Sequence, residues 1–140
     1  MNKIDYINSV VGKPWQDRCA GPDAFDCWGL VVHSFKIVDG VDIEQVDGYT
    51  QGQPIETAGP VEVQSGHWQE IQSPEDGSVF CAYESNNTLS HVGRVFVLAG
   101  GGPHAIHARG TTQRGQVTAD HIRIIERFFD GRVKYFKRVQ

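Results

Sequence analysis

Three residues in this chain are of the types that carry thiol-dependent acyl transfer: Cys27 in F-D-C-W-G-L-V, His91 in S-H-V-G-R-V-F-V and His107 in H-A-I-H-A. That chemistry needs a nucleophile, a base within hydrogen-bond reach and a third group to hold the base. The thiolate is the attacking species. A Cys in the first turn of a helix loses its proton more easily, because the first-turn amides lack intrahelical partners and the dipole favours negative charge there. The backbone N–H of Cys27 would then face an oxyanion. Asp26, immediately before it, reads as a helix cap or as an ion partner of Arg18 or Arg109. Trp28 and Gly29 leave room beside the sulfur, and Leu30 and Val31 anchor the helix. Gly93 lies two residues after His91 on the same strand face, which would keep that face open to substrate and to the Cys helix. One imidazole would meet the thiol and the other would orient it.

Taken singly, each residue has a plainer use. A buried Cys in a helix is most often core, and a His at a strand end is most often a hydrogen-bonded polar residue. The joint occurrence of the three, with a Gly near each, carries the reading. His33 is six residues from Cys27 on the same predicted helix, so it faces away and is assigned to packing or surface. Zinc is the main competing use of Cys and His. The chain has no C-x₂₋₄-C half-site and no H-E-x-x-H, and His104 and His107 would point to opposite faces of one strand. No metal or other cofactor is therefore expected. G-G-G-P reads as a turn, and no Gly-rich phosphate loop is present. The acidic residues offer no spaced pair of the glycosidase kind.

The elements that must position these residues follow from periodicity. Ile4, Ile7, Val10 and Val11 recur at helical intervals and Gly12 with Pro14 ends the pattern, which predicts a short amphipathic helix over 3–11. Residues 15–24 form a loop with a turn at Gly21-Pro22. In the helix that follows, Val31, Phe35 and Val38 share one face, and it closes near Asp39-Gly40. Residues 41–66 have poor periodicity and read as a surface excursion. Ser78–Tyr83, His91–Leu98, His104–Ala108 and Val133–Val139 read as strands, the middle two as an antiparallel hairpin. Residues 121–129 favour a helix that Asp120 would cap. Helices first and strands later predict an α+β fold, with 1–140 as one domain.

The composition narrows the function. The chain has 140 residues, a net charge of -4 and no Lys/Arg block, which argues against nucleic acid as a partner. No run approaches a membrane span, and the N-terminus lacks the apolar segment of a signal peptide, so synthesis in the cytoplasm without membrane insertion is expected. Three cysteines exclude a full disulfide framework. A Cys19–Cys81 or Cys19–Cys27 bridge stays open.

At these residues the sequence resembles the NlpC/P60 family of cysteine peptidases. F-D-C-W-G-L-V matches the family's nucleophile segment, S-H-V-G-R-V-F-V the segment carrying the base, and A-I-H-A the segment carrying the third polar residue. With W-Q-E-I-Q-S-P-E-D-G further on, the pattern looks like the branch found in bacteriophage and prophage tail proteins. The resemblance runs from Gly12 to about Gly110. It implies a reduced papain-like fold, with the nucleophile at a helix N-terminus packed on an antiparallel sheet. It also implies the roles of nucleophile for Cys27, base for His91 and orienting group for His107. Trp15 stands where the family often has Tyr bordering the active site, and its indole N–H would donate to the oxyanion. Trp15, Asp26, Trp28 and Gly93 are thus the residues expected on the oxyanion and substrate side. The implied substrate is the peptidoglycan stem peptide, cut between γ-D-glutamyl and diaminopimelate or Lys. The implied partners are other phage tail proteins, which would deliver the protein to the host cell wall. Two alternatives stay open: a catalytically silent tail protein of the same fold, and an amidase or acyltransferase on a non-wall substrate.

Overall fold

The computed structural model describes residues 1–43, 66–109 and 115–139. The expected excursion over 41–66 falls almost wholly outside the described residues. Helix α1 spans Lys3–Val10, and the Asn2 side chain caps it by accepting the Asp5 N–H at 2.8 Å. Its buried face is Tyr6, Ile7 and Val10, while Ile4 and Val11 are about half exposed. The apolar stripe read from sequence is thus rotated toward Tyr6, whose hydroxyl bonds His33 Nδ1 at 2.9 Å. His33 packs there, edge-on to Phe25.

Helix α2 spans Cys27–Ser34 and widens into a π-helical turn, Phe35–Asp39, that Gly40 ends at a left-handed φ of 69°. Val31 and Phe35 share one buried cluster as expected, but Val38 packs against a second one. A π turn bonds five residues apart rather than four, so it rotates Val38 off the stripe.

The sheet comprises β1 (Trp68–Ile71), β2 (Val79–Tyr83), β3 (Leu89–Leu98), β4 (Gly102–Arg109), β5 (Gln116–His121) and β6 (Val133–Arg138). Helix α3, Ile122–Phe128, joins β5 to β6. The strand order is β1-β6-β2-β3-β4-β5, with each neighbouring pair antiparallel. The molecule is therefore an α+β fold in which N-terminal helices pack on an open antiparallel sheet.

Alternation along the strands sorts the core into two layers. Cys81 and Val92 join α2 in one cluster, and Phe96, Ile106 and Ala108 join α1 and Leu30 in the next. Phe80, Val95 and Ala105 face the other way and pack with Ile122, Ile125 and Phe129. Buried Arg94, on the α2 side, pairs with Asp39 at 2.7 Å, bonds the Gly77 carbonyl at 2.8 Å and lies 3.6 Å over the Phe35 ring. One side chain thus fastens the π turn to β3. No described helix is long and apolar enough to cross a membrane.

Candidate functional site

Asp26 is the N-cap of α2: its carboxylate accepts Gly29 N–H at 2.6 Å and Arg18 N–H at 2.8 Å. It is fully buried, and that burial pushes its pKa up to about 6 against the pull of the two amides. Asp26 is therefore a cap that holds the Arg18 backbone rather than the guanidinium, and it has no surface to offer a substrate. Gly29 is required where it stands, because a Cβ there would collide with the Cys19 carbonyl and Asp26 Oδ1. The space beside the sulfur that the sequence suggested at Gly29 is filled by that loop, whose Cys19 carbonyl also accepts Asp26 N–H at 2.8 Å.

Cys27 begins α2, as expected, and its side chain is fully buried in the cluster that holds Cys81, Leu89 and Val92. Trp28 is 1% exposed in the same cluster, so it is a core residue and not a wall open to substrate. Cys19, Cys27 and Cys81 are all thiols. Burial pushes the Cys81 thiol up to about 12, and Cys27 nearby adds to the shift. Trp15 is half-buried against the α1 cluster, with its indole Nε1 enclosed and without a hydrogen-bond acceptor among the described residues.

Both imidazoles pack against the Phe80 ring, which belongs to the cluster around α3. His91 starts the regular part of β3 just past a register shift between Ala82 and Tyr83, directly across from the small Ala82. His107 is on β4, diagonal to it. His91 Nε2 and His107 Nδ1 are 2.8 Å apart, and His107 Nε2 is 2.9 Å from Asp120 Oδ2. Thr118 donates its hydroxyl to the same carboxylate oxygen at 3.0 Å. The register pairs His107 with Thr118 and so brings Asp120, two residues on, to the same face.

Charge and geometry fix the protons along this chain. Burial opposes ionisation of Asp120, yet the bonds from His107 and Thr118 and the charge of Arg109 hold its pKa below the usual value. Its carboxylate can only accept, so His107 Nε2 donates. Burial lowers the His107 pKa and outweighs Asp120, so the ring is neutral near pH 7 and its Nδ1 accepts. His91 Nε2 then donates. Burial, then His107, then Arg109 hold His91 well below the usual imidazole range. The relay ends in a neutral imidazole whose Nδ1 carries the lone pair.

Gly93 has a different role from the one expected. A Cβ there would strike the Phe80 ring and lie 2.8 Å from His107 Cβ. The glycine makes room for Phe80 and His107, and that ring in turn lies against both imidazoles at 5.6 and 5.9 Å between centroids.

The structure thus brings His91 and His107 together and adds Asp120 and Thr118, which the sequence reading missed. Asp120 was expected to cap α3, but His121 does so, accepting Arg123 N–H at 3.2 Å. β3 carries Val92 into the cluster that holds Cys27, and His91 lies against the Phe80 and Phe129 rings. His104 and His107 diverge, His104 meeting His121 at 5.3 Å between centroids. Among the described residues no group of three or more His, Cys, Asp or Glu is placed to hold a metal ion. The sequence matches no protein-family model. No curated protein matches it either.

Proposed function

We propose that this chain is a cysteine endopeptidase of the NlpC/P60 kind, with the reduced papain-like fold. In this reading it hydrolyses peptidoglycan stem peptides as part of a phage tail. The observation that carries the reading is the Asp120–His107–His91 relay, which leaves a basic Nδ1 on the residue that the motif order marks as the base. Two further facts support it: Cys27 opens a capped helix, and its segment precedes those of the two imidazoles in the family's order.

In this mechanism Cys27 Sγ attacks the scissile carbonyl carbon while its proton passes to His91 Nδ1. The tetrahedral intermediate collapses as His91 gives that proton to the departing amine, leaving a thioester. Water then attacks the thioester with His91 as base, and the thiol returns. Asp120 and His107 stabilise the imidazolium that forms twice in the cycle. The reaction demands that Sγ and Nδ1 come within hydrogen-bond reach.

That demand defines the second reading. Complete burial of Cys27 favours a tail assembly protein that keeps the fold without the chemistry. Mass analysis of purified stem peptide incubated with the protein separates the two. The first reading expects γ-D-glutamyl cleavage by the parent protein, none by Cys27→Ala, and a loss of about 10²- to 10⁴-fold in His91→Ala. It also expects selective iodoacetamide labelling of Cys27 at pH 6. An intact peptide together with an unlabelled Cys27 would establish the second reading. Turnover surviving in Cys27→Ala would remove the thiol mechanism.

A further inference from the structure

Beside the Cys27 cluster, where β2 ends and β6 begins, lies a cleft of about 210 Å³ lined by Tyr83, Asn87, Arg132 and Lys134, with Val133 and Gly131 completing it. Its place follows from the register. Lys134 stands directly across from Cys81, so the two share a face, and Tyr83 packs against the cluster that contains Cys27. The cleft therefore adjoins the sheet face that packs against the Cys27 cluster.

Its chemistry is unusual for a chain of net charge -4: two cations line it and no carboxylate does. Arg132 is anchored by Nε donating to the Tyr83 carbonyl at 2.9 Å, which leaves its two terminal nitrogens to either side of that anchor. Among the described residues the nearest carboxylate to it, Asp130, is 3.9 Å away and 93% exposed, so it neutralises little. Lys134 Nζ lies 5.7 Å from the Tyr83 ring centroid, and no carboxylate pairs with it among the described residues. Asn87, at a left-handed φ of 66°, shapes the turn that closes the cleft. The Tyr83 ring and Val133 supply apolar wall. A fork of N–H donors, an ammonium and a short apolar wall match an aliphatic chain of a few carbons ending in a planar carboxylate.

We propose that this cleft binds a carboxylate-terminated aliphatic group. Resting on the hydrolase reading, it is the subsite for a free carboxylate of the substrate peptide. It would hold the peptide on the same layer as Cys27, so that the scissile carbonyl approaches from the sulfur's side.

The test titrates glutarate, and separately its neutral diamide and inorganic phosphate, into ¹⁵N-labelled Cys27→Ala. Saturable shifts of the Asn87, Gly131 and Lys134 amides are expected with glutarate alone, weakened about tenfold or more in Lys134→Gln and Arg132→Gln. Lys134 is exposed, so its variant tests the site even where Arg132→Gln perturbs the turn. Equal binding of the diamide, equal binding of phosphate, or undiminished binding by Lys134→Gln would each overturn the assignment. Because the thiol is absent, the two readings fail separately. Glutarate binding without peptide turnover by the parent protein removes the hydrolase reading alone. Turnover with an unchanged KM in Lys134→Gln removes the carboxylate subsite alone.

Discussion

At the scale of single residues, the most consequential group is Asp120, whose carboxylate accepts hydrogen bonds from His107 and Thr118. It fixes which nitrogen of His107 holds the proton, and through that which nitrogen of His91 is basic. Its bond and its charge both raise the His107 pKa against burial. Asp120→Ala should therefore shift the His107 titration further down and let its tautomers mix, both visible in imidazole ¹⁵N spectra. If the chain is the hydrolase proposed above, activity falls about 100-fold or more. Asp120→Asn, which keeps an acceptor but loses the charge, should retain the tautomer and recover part of the activity. A His107 titration and tautomer unchanged in Asp120→Ala would mean that the carboxylate is a bystander.

Among the elements, what was legible and what was not divides on physical grounds. β2, β3 and β6 are rich in Val, Phe and Tyr and β4 follows the G-G-G-P turn after β3, so their existence could be read, as could α1 and α2. β5 could not: in Q-V-T-A-D-H only Val117 is a large apolar residue, and the strand is held by its pairing with β4. With β5 unread, Asp120 looked like a cap, since the β4–β5 register that delivers it to His107 is a tertiary fact. The short edge strand β1, W-Q-E-I, was likewise too brief to read. Gly29 and Gly93 were read as leaving open space, whereas neighbouring groups fill the space at both. Gly93 is the sharper case, because three strands meet under it: Phe80 from β2 and His107 from β4 occupy the space its side chain would take. Gly93→Ala must displace the Phe80 ring or the His107 backbone, at a cost of about 1–3 kcal/mol. Urea unfolding would read that loss. A spectrum of the folded variant should show the His91–His107 pair disturbed, while Gly100→Ala, in open space but at a positive φ of 77°, should cost stability and leave the imidazoles alone.

For the molecule as a whole, two buried titrating systems act on stability with opposite signs. His91 and His107 have folded pKa values below the free imidazole value of 6.5, so below that pH the unfolded chain binds more protons than the folded one. Their contribution is complete above pH 6.5 and declines as pH falls toward their folded values. Asp26 runs the other way: with its folded pKa raised from 3.8 to about 6, the folded state holds the extra proton between those values. Its contribution is complete below pH 3.8 and is lost as pH rises through 6. Between pH 7.5 and 5.5 these two imidazoles, one of them held well below its usual range, and His33, which burial and then Lys36 also lower, act against a single carboxylate only partly protonated there. The fold should be more stable at pH 7.5 than at pH 5.5, with a higher urea midpoint and an unchanged m-value. His91→Gln removes the larger histidine contribution and should shrink that difference. Asp26→Asn, which keeps an oxygen for Gly29 N–H but cannot accept Arg18 N–H with its amide nitrogen, should lower stability at both pH values and widen the difference. A parent protein more stable at pH 5.5, or an Asp26→Asn profile that narrows, would mean that the layer of imidazoles is not buried neutral in solution. The basic Nδ1 at the end of the relay would then be lost with it.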